Sequence, residues 1–320
     1  MSAEWASGGD AERRALLTRS AAFASIAMAL FLAALKGWAV WRTGSTAMLG
    51  SLADTSLDLI ASLATLIGVT VAARPADAGH RFGHGKAEAL AAMFQVILIV
   101  LSAGAIALRA VLRLVEGGRT EAAETGIGVS LVAIAATFAL IAWQRHVVRR
   151  TGSLAIRTDS VHYQSDLLLN LAVIAALALD QYAGLTGADP LFGLAIAAWL
   201  VWGAWRASGD AIDNLMDREW PAEQRLRFIE RAALHPELSR LHDLRTRSSG
   251  NRDFAQFHVD LPAGMSVGEA HAIIEKVEAD LRAAFPDVEL LIHIDPEGHM
   301  DEPGNPLAES DEFRRLEDRE

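Results

Sequence analysis

The sequence predicts an α-helical membrane domain of six transmembrane helices followed by a small water-exposed α+β domain. Three observations predict this. Residues from about 20 to 215 hold long apolar runs with few charges, while residues 219–320 read as ordinary soluble sequence. The chain is 52% hydrophobic over 320 residues, with a mean hydropathy of +0.23, which is high for a soluble protein of this size. The hydrophobic period also changes after Asp217-Arg-Glu-Trp-Pro221, from long helical runs to short mixed elements.

A helix needs about 20 apolar residues to cross a bilayer core of roughly 30 Å. Six runs qualify: about 20–41, 47–73, 87–115, 126–148, 160–183 and 189–215. Helices are expected because the backbone must satisfy its own hydrogen bonds in lipid. Trp38 and Trp41 sit near the end of the first run and Trp143 near the end of the fourth, as an interfacial belt requires. The polar stretch 1–19 does not resemble a cleavable signal peptide, so the first run is expected to stay in the membrane.

Basic residues set the orientation. The 2–3 connection holds Arg74, Arg81 and Lys86, the 4–5 connection holds Arg145, Arg149, Arg150 and Arg157, and the N-terminus holds Arg13, Arg14 and Arg19. The opposite loops are poorer in Lys and Arg. The positive-inside rule therefore places both termini in the cytoplasm.

Composition excludes several functions. The net charge is −11, with much of the acidity after residue 250, so nucleic acid is not an expected partner. There is no cysteine, so any metal site must use His and carboxylates. No His-Glu-x-x-His helix is present, which argues against a zinc protease within the membrane.

Charged residues stand where lipid is expected. The second run contains Asp54 and Asp58, and the fifth contains His162 and Asp166. Each pair is spaced i, i+4, one helical turn apart on one face. An ionised Asp at mid-bilayer costs roughly 2.5–3.5 kcal/mol, so three unpaired ones would cost about 8–10 kcal/mol. Neither run holds a Lys or Arg to offset this. A divalent cation would, and three carboxylates with one imidazole suit tetrahedral Zn²⁺. The competing reading is a proton relay or a hydrogen-bonded cluster without metal. The two segments also echo each other faintly, as repeats around a midplane site do.

Two further groups stand outside the spans. Asp77, His80 and His84 lie in the 2–3 loop with Gly83 and Gly85, which allow a tight fold. They either converge on an ion or are solvated. In the C-terminal part the expected order is α-β-β-α-β: a helix over 221–235, strands over 242–248 and 254–261 around a turn at Ser249-Gly250-Asn251, a helix over 266–285 with Ser266 and Glu269 as a capping box, and a strand over 288–294. His293 and Asp295 are two apart and share a strand face. His242, His258 and His271 lie nearby in sequence, so this domain carries either a metal site or structural histidines.

These motifs, in this order, resemble the cation diffusion facilitator family, and within it the bacterial ferrous-iron/zinc efflux pumps. The resemblance covers residues 15–297 and rests on Asp54-Thr-Ser-Leu-Asp58, Asp77 through Phe82-Gly-His84-Gly-Lys86, His162-Tyr-Gln-Ser-Asp166, His242-Asp-Leu-Arg-Thr-Arg247 and His293-Ile-Asp295-Pro296. It implies a transport site of Asp54, Asp58, His162 and Asp166, and a loop site of Asp77, His80 and His84. It further implies a dinuclear zinc site of His242, His258, His271, His293 and Asp295 at a cytoplasmic dimer interface, and a helix-locking charge pair of Lys86 with Asp217. The implied protein is no enzyme. It is a homodimeric pump of the inner membrane that exchanges Zn²⁺, Cd²⁺ or Fe²⁺ for protons, with a metallochaperone-like cytoplasmic domain. Arg81 departs from the small polar residue expected in the loop motif. An uncoupled metal channel or a membrane metal sensor is the alternative.

The expected organisation is a cytoplasmic segment over 1–19, a transport domain over 20–217, a metal-binding dimerisation domain over 218–297 and a disordered acidic tail over 298–320.

Overall fold

The structure, a computed structural model, describes residues 3–43, 46–115, 124–183, 188–250, 252–299 and 310–317. The chain forms two compact units. One is Glu12–Asp213; the other is Asn214–Glu320 together with Met1–Ala11.

The first unit is helical. Its helices are α1 (Ala3–Thr43), α2 (Thr46–Ala72), α3 (Ala87–Val115), α4 (Glu124–Thr151), α5 (Leu154–Ala183) and α6 (Ala188–Leu215). Five of them carry membrane-spanning stretches: Glu12–Arg42, Thr55–Ala72, Ala87–Val115, Leu131–Thr151 and Pro190–Leu215. The sixth, α5, has 30 residues, about 45 Å at 1.5 Å per residue, which is long enough to cross. Asp159, His162 and Ser165 interrupt its apolar run, and all three are buried in the bundle. Helix α1 starts at Ala3, so the polar N-terminal stretch is helical and continuous with the first run. Its Ala, Glu and Arg residues are good helix formers.

Large apolar side chains such as Phe23, Ile67, Leu101 and Phe138 point outward, while the interior is rich in alanine: Ala21, Ala22, Ala61, Ala89 and Ala92. This is how helices pack in lipid, where close backbone approach replaces the hydrophobic effect. Gly68 shows the limit. A Cβ built there would collide with Cβ of Ala91, so α2 and α3 touch at this point. The α4–α5 turn follows from Gly152, in the left-handed region at φ +67, whose N–H donates to the carbonyl of Val148 at 2.8 Å. Glu88 on α3 then accepts from Ser153 Oγ (2.6 Å) and from the Leu154 N–H (3.1 Å), fastening the first turn of α5 to α3.

The second unit has the expected order. Helix α7 (Ala222–Ala232) leads to β1 (Leu241–Ser249), β2 (Arg252–Leu261), α8 (Val267–Ala284) and β3 (Val288–Pro296). The sheet order is β1-β2-β3, with β1 antiparallel to β2 and β2 parallel to β3 across the α8 crossover. Ser266 caps α8, and both halves of the capping box with Glu269 form. The core of Phe228, Ile229, Ala255, Phe257, Val259, Val277, Leu281 and Leu290 lies between helices and sheet. On β2, Ala255, Phe257, Val259 and Leu261 face that core, so the alternation of the strand sends Gln256, His258 and Asp260 to the opposite face.

The acidic tail differs from its expectation. Glu312–Glu317 forms a short helix, α9. Glu312 is buried and accepts from Arg225 Nη2 at 2.7 Å, and Phe313 packs on the core of the domain. Composition pointed to disorder, but one aromatic residue and one ion pair suffice to dock this turn. Residues 300–309 and 318–320, also read as disordered, lie outside the described residues.

Candidate functional site

Three groups of His and carboxylate side chains converge, each with one potential ligand atom per residue and these atoms within 4.8 Å of one another: Asp58, His162 and Asp166; Asp77, His80 and His84; and His242, His258 and Asp295.

The first group lies between α2 and α5, in the interior of the membrane unit. Asp58 is about 18 Å along α2 from Thr46, and Asp166 about 18 Å along α5 from Leu154, at 1.5 Å per residue. Both are thus near the middle of helices some 40 Å long. Nε2 of His162 lies 2.6 Å from Oδ1 of Asp58, and both side chains are more than nine-tenths buried. Asp166 joins from the next turn of α5, which sets its i, i+4 partner on the same face. Its own carbonyl accepts from Asn170 Nδ2 at 2.7 Å. Asp54 lies one turn before Asp58 on α2, and its side chain is outside the described residues. A cation does stand nearby in sequence space: Lys36 on α1 donates to Thr55 Oγ1 at 2.6 Å. Lys36 lies outside the two runs that hold the acidic residues.

Beneath this group lies a network that sequence reasoning did not find. Asp159, fully buried on α5, accepts from Ser25 Oγ of α1 (2.6 Å), Gln144 Nε2 of α4 (2.8 Å) and Gln95 Nε2 of α3 (3.0 Å). Tyr163 Oη donates to the carbonyl of Ser25 at 2.9 Å and lies 3.0 Å from Ser62 Oγ of α2. The signal was present: Asp159 stands three residues before His162 and seven before Asp166, on the same helix face. The apolar run read as the fifth span begins at 160, so Asp159 stands just outside it.

The loop group is held by its own backbone. Asp77 Oδ1 accepts from the N–H groups of Gly79 (2.9 Å) and His80 (2.7 Å). The His80 N–H, first among several causes, holds the Asp77 carboxyl below the ordinary carboxylate range, so it stays ionised. His80 Nδ1 and His84 Nε2 each approach it at 3.3 Å. Gly83 takes φ +81, which a residue with a Cβ resists. Arg81 is exposed on the loop between the two histidines.

In the second unit the strand register brings the third group together. His242 pairs with His258, and His258 with His293, in one row across the sheet; Asp260 pairs with Asp295 in the next. All sit on the face the helices leave free. A bulge after His242, with Asp243 at φ 45, shifts the phase of β1 so that Leu241 and Leu244 both still reach the core. His258 Nδ1 lies 2.8 Å and His242 Nε2 3.6 Å from Asp295 Oδ2. Burial, with Arg240 second, lowers the basicity of His242 and keeps its ring neutral, the form that binds metals. His293 approaches Asp295 Oδ1 at 3.3 Å and stacks near His258 with ring centroids 4.6 Å apart, yet is exposed. His271 is not brought to the group: it stands exposed on α8, 3.5 Å from Glu275. The fit of this group to a resident ion is supported by a buried atom without a hydrogen-bond partner among the described residues, Oδ1 of Asp260, which faces Nε2 of His242.

Of the expected charge pair, Lys86 immediately precedes α3 in the first unit and Asp217 lies in the second. Asp217 adopts φ 56 and pairs with Arg247 Nη1 at 3.3 Å.

Comparison with known proteins decides the family. Residues 22–216 match the family model described as the cation efflux transmembrane domain, and residues 221–297 match the one described as the cation efflux protein, cytoplasmic domain. The chain belongs to the cation diffusion facilitator family. It is 42% identical over 282 residues to the cation-efflux pump FieF of Pectobacterium atrosepticum, covering 88% of this chain and 94% of that one. The FieF pump of Yersinia pestis is 42% identical over 278 residues, covering 87% and 92%. The solved structure of CzrB in its Zn form is 35% identical, covers 27% of this chain and 99% of that one, and has a TM-score of 0.24. Membership makes this chain a multi-span cation efflux transporter with a C-terminal domain of the dimerisation type.

Proposed function

We propose that this chain exports a divalent transition-metal cation, Zn²⁺ first among Zn²⁺, Cd²⁺ and Fe²⁺, across the inner membrane in exchange for protons. One observation carries this reading: the group of Asp58, His162 and Asp166, the first two buried and the third partly so, near the middle of two long helices. Oxygen and imidazole donors suit Zn²⁺, and burial makes their charge expensive without a cation. Asp54, one turn away, is the expected fourth donor.

The short contact between His162 Nε2 and Asp58 Oδ1 gives the coupling its chemistry. With no cation bound, a proton occupies that contact. When the pair carries the extra proton of an imidazolium or a carboxylic acid, a metal, which needs both donor atoms deprotonated, displaces that proton, and proton entry releases the cation. Imidazole is the side chain suited to this exchange near neutral pH. Rocking of the helices would then present the group to either side in turn.

The remaining assignments belong to the same proposal. Asp77, His80 and His84 form a loop site on the cytoplasmic side. His242, His258 and Asp295 would hold a resident Zn²⁺, which when bound would supply positive charge between two carboxylate-bearing strands. His271 and His293, exposed on the surface, are placed to serve a second copy in a homodimer. Lys86 and Asp217 form the helix-locking pair, both termini are cytoplasmic, and the domains run 1–19, 20–217, 218–297 and 298–320.

Zn²⁺ uptake into proteoliposomes with and without an imposed pH gradient tests the reading. Flux that follows the gradient is expected. Flux indifferent to it would make the chain an uncoupled channel.

A further inference from the structure

The cytoplasmic group contains a residue that neither its sequence spacing nor the family motif singled out. Asp260 lies on β2 two residues beyond His258, repeating the His293–Asp295 spacing of β3, and the register sets Asp260 directly beside Asp295. It is on the same face as both, because its neighbours Val259 and Leu261 are in the core.

Its side chain is nine-tenths buried. Oδ2 faces Arg240 Nε at 3.7 Å. Oδ1 has no hydrogen-bond partner among the described residues, and it points at Nε2 of His242, 3.8 Å away. The same Nε2 lies 3.6 Å from Oδ2 of Asp295. A buried carboxylate oxygen left without a donor is a costly arrangement unless something absent from the protein itself satisfies it. Two donor atoms of tetrahedral Zn²⁺, each about 2.0–2.1 Å from the ion, stand about 3.3 Å apart. The separations of 3.6 and 3.8 Å around Nε2 therefore approach two edges of such a site, while His242, His258 and Asp295 already converge and Asp260 would have to turn in to join them. Charge agrees. Two neutral imidazoles and one carboxylate would leave a buried divalent cation with a surplus positive charge, which a second carboxylate cancels. Arg240, one-quarter exposed, is set against the other oxygen.

We infer that Asp260 is a further ligand of the cytoplasmic metal group, donating Oδ1 to the same divalent cation as His242, His258 and Asp295. This rests on the reading of that group as a metal site.

The test uses the purified full chain in a background carrying Asp58→Ala and Asp77→Ala, which removes the other two groups. Co²⁺ is titrated and its visible d–d absorption recorded, and Zn²⁺ affinity is obtained by competition. Asp295→Ala should abolish the intense absorption of four-coordinate Co²⁺. Asp260→Asn should reduce Zn²⁺ affinity at least tenfold and change the Co²⁺ spectrum, and Asp260→Glu, which keeps a carboxylate oxygen, should retain most of both. Affinity within twofold of the background and an unchanged spectrum in Asp260→Asn, with Asp295→Ala inactive, would overturn the assignment. Equal loss in Asn and Glu would also overturn it, since it would mark a structural role. If Asp295→Ala binds like the background, the group is no metal site and the underlying reading falls with the inference.

Discussion

Replacing Asp159 by alanine should be among the most damaging substitutions in the membrane unit, although Asp159 is not a proposed ligand. Its two oxygens accept from helices α1, α3 and α4 at 2.6–3.0 Å. Ser25 Oγ has a fallback in the carbonyl of Ala21, 3.1 Å away. Gln95 and Gln144 do not share it. Each uses one amide hydrogen on Asp159 and the other on Thr65 or Ser25. Truncation therefore strands two buried N–H donors at about 1–3 kcal/mol each, or roughly 2–6 kcal/mol in all. Asp159→Asn behaves differently. It keeps one acceptor oxygen for one glutamine, and its new N–H groups require the other glutamine to turn its Oε1, buried and without a partner among the described residues, toward them. Its loss should be under half that of alanine. Unfolding of the purified protein, followed by tryptophan fluorescence, ranks the variants. Alanine within about 1 kcal/mol of wild type, or alanine and asparagine indistinguishable, would refute the network as a source of stability.

Two other substitutions probe the frame around the sites. Gly68→Val should separate α2 from α3 at the Ala91 contact and lower both stability and flux, by about 1–3 kcal/mol for overpacking; a variant that unfolds like wild type would show that the helices slide freely. Asp280 accepts from Arg231, which holds its carboxyl below the ordinary value near 3.9, with His235 Nε2 at 3.2 Å as a second partner. Its folded pKa is depressed, so its contribution is present above about pH 4 and lost as pH falls through the folded value. Asp280→Asn should remove that contribution at neutral pH and flatten the acid limb of an unfolding profile; an unchanged acid limb would contradict the assignment.

Much of this was legible in the sequence because charge in an apolar run is a strong physical signal. Asp58, His162 and Asp166 announced themselves by standing where lipid was expected, and their i, i+4 spacing put them on one face. The αββαβ order followed from period changes, and Ser266 with Glu269 announced the start of α8. What escaped needed three dimensions. Gln95 and Gln144 are single polar residues in apolar helices, and only packing shows that both reach Asp159. Asp260 looked like an ordinary strand carboxylate until the register placed it beside Asp295. His271 stands apart from the other histidines within one chain, because α8 carries it on an exposed surface rather than on the sheet face they share. The tail turn at Glu312–Glu317 was hidden because its composition is that of disorder, and its anchor, Arg225, lies far away in the chain.

The central claim is that the buried carboxylates and imidazole between α2 and α5 are the coupled transport site. Zn²⁺ uptake into proteoliposomes under an imposed pH gradient, compared between wild type and Asp58→Ala, tests it most directly. The account predicts gradient-driven uptake in the wild type and its loss in the variant, with the variant still folded by its unfolding profile. Uptake that survives Asp58→Ala unchanged would place the transport site elsewhere.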